Sequence, residues 1–172
     1  MTTLTVSAPA RPSRIRAFLT GDARHFQIAA LATLLTFNVA FLDFGARPLN
    51  SALAILCSLA TQALCSRIWR LPAIDLRSPL ITGLSLSLLL RADALWLYAA
   101  AAVIAIGSKF LLRIDGKHIW NPAGLAIVVL LLTSSGVWIS PGQWGASIWF
   151  AALTGFFAIL VLGAARRADI AV

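Results

Sequence analysis

Two short stretches carry the residue types from which a ligand site could be built. Gly116-Lys117-His118-Ile119-Trp120-Asn121-Pro122-Ala123-Gly124 runs from a basic turn into an Asn-Pro pair that opens a helix. Pro at the first helical position costs little, because its missing N–H would be unpaired there, and Asn just before it is a strong N-cap. An otherwise uncapped helix start, with its positive dipole end beside Lys117 and His118, suits an anion or a phosphate group. The same residues serve equally as a plain helix cap at a membrane surface. In the second stretch, Ser78-Pro79-Leu80-Ile81-Thr82-Gly83-Leu84, the pattern recurs: a polar cap, a Pro and a short apolar helix. Paired short or interrupted helices bring backbone dipoles to a buried ligand in many membrane proteins. The candidate binding residues are therefore Ser78, Thr82, Gly83, Lys117, His118, Asn121 and Pro122. Packing contacts are the competing role for the hydroxyl side chains.

The inventory argues against most other chemistry. His25 and His118 are the only histidines and fall on the same side of the expected topology, so a haem held between two membrane-embedded histidines is not available. With no Glu, no carboxylate pair at membrane depth and no Ser/His/Asp spacing, hydrolytic or acid–base catalysis by the chain itself is not expected. Cys57 and Cys65 lie eight residues apart in one apolar run, about 12 Å along a helix, and cannot bridge each other. No catalytic residue and no metal-ligand set is assigned, and any redox role borrows a cofactor.

These residues need a frame, and composition indicates the solvent that frame meets. Of the 172 residues, 60% are hydrophobic and 12% charged, with a mean hydropathy of +0.89; soluble domains carry about 25% charged residues. A body this small has too much surface to hide so many apolar side chains from water. Lipid is the expected surrounding. Fourteen Lys or Arg against six Asp give a net charge of +8 and a pI near 11.3. The basic residues form short clusters between long uncharged runs, the pattern of membrane orientation, and nucleic acid is not an expected partner.

The expected fold class is an all-α integral membrane protein with about six hydrophobic helical segments, at 25–42, 48–66, 78–90, 94–112, 123–139 and 145–165. The segments 78–90 and 123–139 are expected to be short or broken. The first of these has 13 residues, about 20 Å of helix against a hydrocarbon core about 30 Å thick. Lys109 is read as snorkelling from the end of the fourth segment toward water. If every segment crosses, Arg11, Arg14, Arg16, Arg24, Arg67, Arg70, Arg77, Lys109, Arg113, Lys117, Arg166 and Arg167 share one side, and Arg47 and Arg91 the other. That asymmetry predicts both termini in the cytoplasm of a bacterial-type inner membrane. The domains are a basic cytoplasmic arm at 1–24, a transmembrane domain at 25–167 and a tail at 168–172. The first apolar run lacks a small-x-small cleavage pattern and reads as a retained helix, not a signal peptide. Irregular chain must complete the third crossing, with Arg91 and Asp93 expected to pair there.

The two motifs resemble the RnfD family, membrane components of Rnf-type electron transport complexes, and the related NqrB family of the sodium-translocating NADH:quinone oxidoreductase. The resemblance is to their N-terminal half and rests on Asp75-Leu76-Arg77-Ser78-Pro79-Leu80-Ile81-Thr82-Gly83-Leu84 and on 116–124, with Asp22-Ala23-Arg24-His25-Phe26-Gln27 as a third point. It implies a urea-transporter-like fold and a membrane component that handles electrons with FMN, riboflavin or quinone. The Ser-Gly-Ala-Thr type loop that carries covalent flavin in that family does not occur, so any flavin is expected to be non-covalent. Expected partners are the lipid bilayer and either other membrane or redox subunits or a parallel homo-oligomer. The alternatives are a small-solute channel or transporter of the same fold and a structural component without a ligand.

Overall fold

The computed structural model describes residues 22–42, 47–115, 117–140 and 148–164. The arm at 1–21, the tail at 168–172, Gly116 and the Pro141-Gly142 break lie outside the described residues. Helices α1 (Arg24–Phe37), α2 (Pro48–Ile68), α3 (Arg77–Leu89), α4 (Leu95–Leu111), α5 (Pro122–Thr133) and α6 (Ile148–Ala164) account for most of the described chain. A π-helical stretch, Asn38–Leu42, continues α1. Strands β1 (Leu90–Ala92), β2 (Arg113–Ile114), β3 (Lys117–His118) and β4 (Val137–Ile139) form two antiparallel pairs, β1 with β4 and β2 with β3.

Local chemistry sets most of the helix ends. Pro48 and Pro122 each open a helix where no N–H is needed. Asn121 accepts hydrogen bonds from the backbone N–H groups of Ala123 and Gly124, at 3.1 and 3.3 Å. Helix α5 ends at Thr133, six residues short of the expected 123–139 segment, because Val137–Ile139 is drawn into a strand by a partner distant in sequence. The pairing sets Leu90 opposite Ile139, Arg91 opposite Trp138 and Ala92 opposite Val137. Two hydrogen bonds extend the ribbon, from Asp93 N to Gly136 O and from Ser140 N to Leu89 O, both 3.0 Å. The Tyr98 hydroxyl accepts from Ala92 N. Both interrupted segments thus give way to extended chain whose backbone groups are largely satisfied by each other.

Helix α3 is the hub, packed against α1, α2, α4 and α5, while α6 lies against α1. Its closest approach is to α2: a Cβ on Gly83 would stand 2.7 Å from the Ile55 Cα. Small residues let the other helices close in as well, with Ala101, Ala102 and Ala105 of α4 and Ala123 and Ala126 of α5 buried in the main core.

The main core is apolar, built around Leu86, Leu90, Leu97, Ala101 and Ala105, but α2 departs from the usual pattern of polar outside and apolar inside. The buried residues of α2 are Ser51, Ala54, Ser58, Gln62, Cys65 and Ser66. On the same helix Leu49 and Leu56 are both 63% exposed, with Leu64 and Ile68 close behind. Among the described residues, only α2 is long and apolar enough, by length and composition, to cross a membrane as an unbroken helix. Shorter apolar helices lie at Leu95–Leu111, Pro122–Thr133 and Ala151–Gly163.

Candidate functional site

Helices α3 and α5 start at the same end of the bundle, and between their first turns lies a cavity of about 490 Å³. Ser78 and Thr82 enter it from the first turns of α3, and Asn121 and Pro122 from the start of α5. His118 reaches it from β3, and Arg24 and Gln27 from α1. Ile81, Ile119 and Trp120 add apolar lining. Two motifs about forty residues apart in sequence therefore meet at one opening.

The candidate residues divide three ways. Ser78, Thr82, His118, Asn121 and Pro122 line the cavity. Gly83 does not: it faces α2 and its absent side chain is a packing requirement, which corrects its expected place among the binding residues. Lys117 pairs through its backbone with Ile114 in the β2–β3 hairpin, and its side chain lies outside what is described. The dipole cradle expected at 116–124 is also revised. The Asn121 side chain occupies the Ala123 and Gly124 N–H groups, so the start of α5 is a self-satisfied cap with few donors left for an anion.

The cavity's buried positive charge comes instead from Lys109 of α4, which lies against α3 and does not reach for water as expected. Its residue is 7% exposed, and its Nζ donates to Ser78 Oγ at 2.8 Å. No Asp lies within ion-pair distance of it among the described residues. Sequence reasoning missed Lys109 because a cation near the end of an apolar helix ordinarily extends to water. Ser85 also lines the cavity.

One wall is fixed by a reciprocal ion-pair quartet built from the repeated Asp-x-Arg of Asp22-Ala23-Arg24 and Asp75-Leu76-Arg77. In each copy the Asp accepts from the backbone N–H and the Nε of its own Arg, all at 3.0 Å. Each Arg then crosses over: Arg24 Nη1 donates to Asp75 Oδ2, and Arg77 Nη1 donates to Asp22 Oδ2 at 2.7 Å. This clasps the starts of α1 and α3 together. Hydrogen bonds from the Arg24 side chain and backbone hold the Asp22 carboxyl well below its ordinary 3.8. For Asp75, burial alone would raise the value, but hydrogen bonds from Arg77 and Arg24 outweigh it and the carboxyl is likewise held low.

A carboxyl whose folded value lies below its unfolded one contributes stability above the unfolded value and loses it as pH falls through the folded one. The melting temperature of the purified protein is therefore expected to be level down to about pH 5 and to fall below about pH 4. The Asp22→Asn, Asp75→Asn double variant should start lower and show a shallower acid limb. Identical acid limbs in the two proteins would remove the quartet from the account.

At the opposite end, Arg91 is 4% exposed and its Nη1 donates to the Ser87 and Leu90 carbonyls, at 3.1 and 2.8 Å. Asp93 is exposed, and no ion pair joins the two. The expected Arg91–Asp93 pair is thus replaced by a guanidinium turned back onto α3.

No family model, no curated protein and no solved structure matches the chain.

Proposed function

We propose that the chain is a membrane-embedded component that holds a non-covalent redox cofactor, a flavin or a quinone, in the cavity between the starts of α3 and α5, within a larger electron-transport assembly of the Rnf type. The observation that carries the membrane part is the inverted polarity of α2, with serines and Gln62 inside and leucines outside. Water would penalise that arrangement, whereas lipid favours it. The described basic residues follow suit. Arg24, Arg67, Arg70, Arg77, Lys109 and Arg113 belong to helix ends or loops at the cavity end, with Arg47 and Arg91 at the other, as a cytoplasmic face at the cavity end requires.

The strands support a crossing by α3 despite its shortness. Its 13 residues span about 20 Å as helix, and three extended residues add about 10 Å, which together match a hydrocarbon core of about 30 Å. Non-helical backbone at that depth requires internal hydrogen bonds, and the β1–β4 ribbon supplies them.

The residues present suit a flavin or quinone headgroup. The cavity volume of about 490 Å³ falls in the range of small-molecule sites, about 300–1,000 Å³. Ile81, Ile119 and Trp120 offer apolar contact to a flat ring, and Ser78, Thr82, Ser85 and Lys109 offer polar groups. A bound flavin would supply one- and two-electron transfer; the chain's part is to bind and orient it and to fix the charge around it.

Purification in detergent tests the reading. The expected result is a flavin spectrum or extractable quinone at near one equivalent per chain, or stoichiometric uptake of added flavin or quinone. Protein that stays colourless and takes up neither would defeat it. A second reading, a small-solute conduit, draws on the two interrupted helices, α3 and α5, joined by β1 and β4. It predicts solute flux in proteoliposomes above that of empty vesicles.

A further inference from the structure

We infer that Lys109 and Ser78 form an anion-recognition point, and that the ligand of the cavity carries a phosphate group on a flat, largely apolar body. This rests on the cavity being the binding site proposed above, but not on the ligand being redox-active. Lys109 is a buried cation at the cavity wall whose one hydrogen bond among the described residues goes to a neutral hydroxyl. An ammonium has three donors, so two remain for a ligand. A buried charge without a counter-charge is costly, and an anion in the cavity would remove that cost.

The nearby acids are already committed. Asp22 and Asp75 are bound by Arg24 and Arg77 in the quartet, so among the described residues Asp75 acts on Lys109 only from a distance and no carboxylate pairs with it directly. Ser78 Oγ accepts from Lys109 and so keeps its own proton available to donate. It also sits in the first turn of α3, where the helix dipole favours an anion. Inorganic phosphate alone would leave most of a 490 Å³ cavity unfilled, and the apolar lining from Ile81, Ile119 and Trp120 implies a ligand with a body to cover.

FMN and riboflavin differ by the phosphate alone, which makes them the informative pair of probes. For the full chain in detergent, titration is expected to show FMN binding about 10- to 100-fold tighter than riboflavin, with inorganic phosphate competing against FMN. Lys109→Met should bring FMN down to the riboflavin affinity and leave riboflavin unchanged. Ser78→Ala should act in the same direction with a smaller loss, and the phosphate competition needs no variant if Lys109→Met fails to fold. Equal binding of the two flavins, without phosphate competition, overturns the anion site and leaves the flavin reading standing. Protection from melting by inorganic phosphate in the native protein but not in Lys109→Met, with no flavin bound, supports the anion site and defeats the flavin reading. Failure of all three probes to bind overturns both.

Discussion

Gly83→Leu should yield no folded protein, and Gly83→Ala should be measurably less stable than the native chain, although Ala is the better helix former. Two effects oppose each other at this position. Ala gains about 1 kcal/mol over Gly in a helix interior, whereas overpacking a close helix contact costs about 1–3 kcal/mol. Here the obstruction is backbone: the new Cβ would lie 2.7 Å from the Ile55 Cα and 3.3 Å from the Ala54 carbonyl oxygen. No rotamer change relieves that, and α3 cannot retreat because α1, α4 and α5 pack against it as well. The clash therefore wins. Thermal melting in one detergent, with monodispersity as a second readout, checks it. Ile55→Ala removes the Ile55 Cγ1 contact at 3.2 Å but leaves the Cα in place, so it should not rescue Gly83→Ala. Native stability in Gly83→Leu would mean that α2 and α3 do not meet at this glycine.

The same glycine marks the boundary of what is legible in the sequence. Helix starts are legible wherever a local device sets them: Pro48, Ser78-Pro79 and Asn121-Pro122 all lie at or within one turn of an observed start. The shortness of the segment 78–90 is legible from its length, and that of 123–139 from the flanking Pro122 and Ser140-Pro141-Gly142. Their manner of ending is not, because Val137–Ile139 becomes a strand only in the presence of Leu90–Ala92, and nothing local in an apolar run signals that partner. Buried faces are equally hidden. In a chain apolar on nearly every side, periodicity does not separate the core face from the outer one, so Gly83 reads as a site residue when it is a contact residue. Lys109 escapes for a related reason, since its partner Ser78 is 31 residues away and the local sequence offers only an apolar helix end. The Asp-x-Arg repeat at 22–24 and 75–77 is a long-range contact that does carry a sequence signal. On sequence it marks two points of a resemblance, and its reciprocal geometry emerges only when the starts of α1 and α3 are brought together.

A membrane-impermeant thiol reagent applied to intact cells should label a cysteine at Asp93 and leave one at Ile114 unmodified, with both labelled after permeabilisation. The native Cys57 and Cys65 would first be replaced by Ala; neither makes a disulfide. Both probe positions are exposed and lie at opposite ends of α4, Asp93 just before it and Ile114 just after. The 17 residues of that helix cover about 25 Å, close to the hydrocarbon thickness, so the sites cannot share a face if α4 crosses. The expected sign follows from charge: the proposed topology puts the cavity end, with its clustered Arg and Lys, inside, and the ribbon end, poor in them, outside. Three separate inferences stand or fall together here. Labelling of both sites from the same face would remove the crossing of α4. It would also remove the need for β1 and β4 to complete α3 and α5 at depth, and with it the proposed cytoplasmic placement of the cavity.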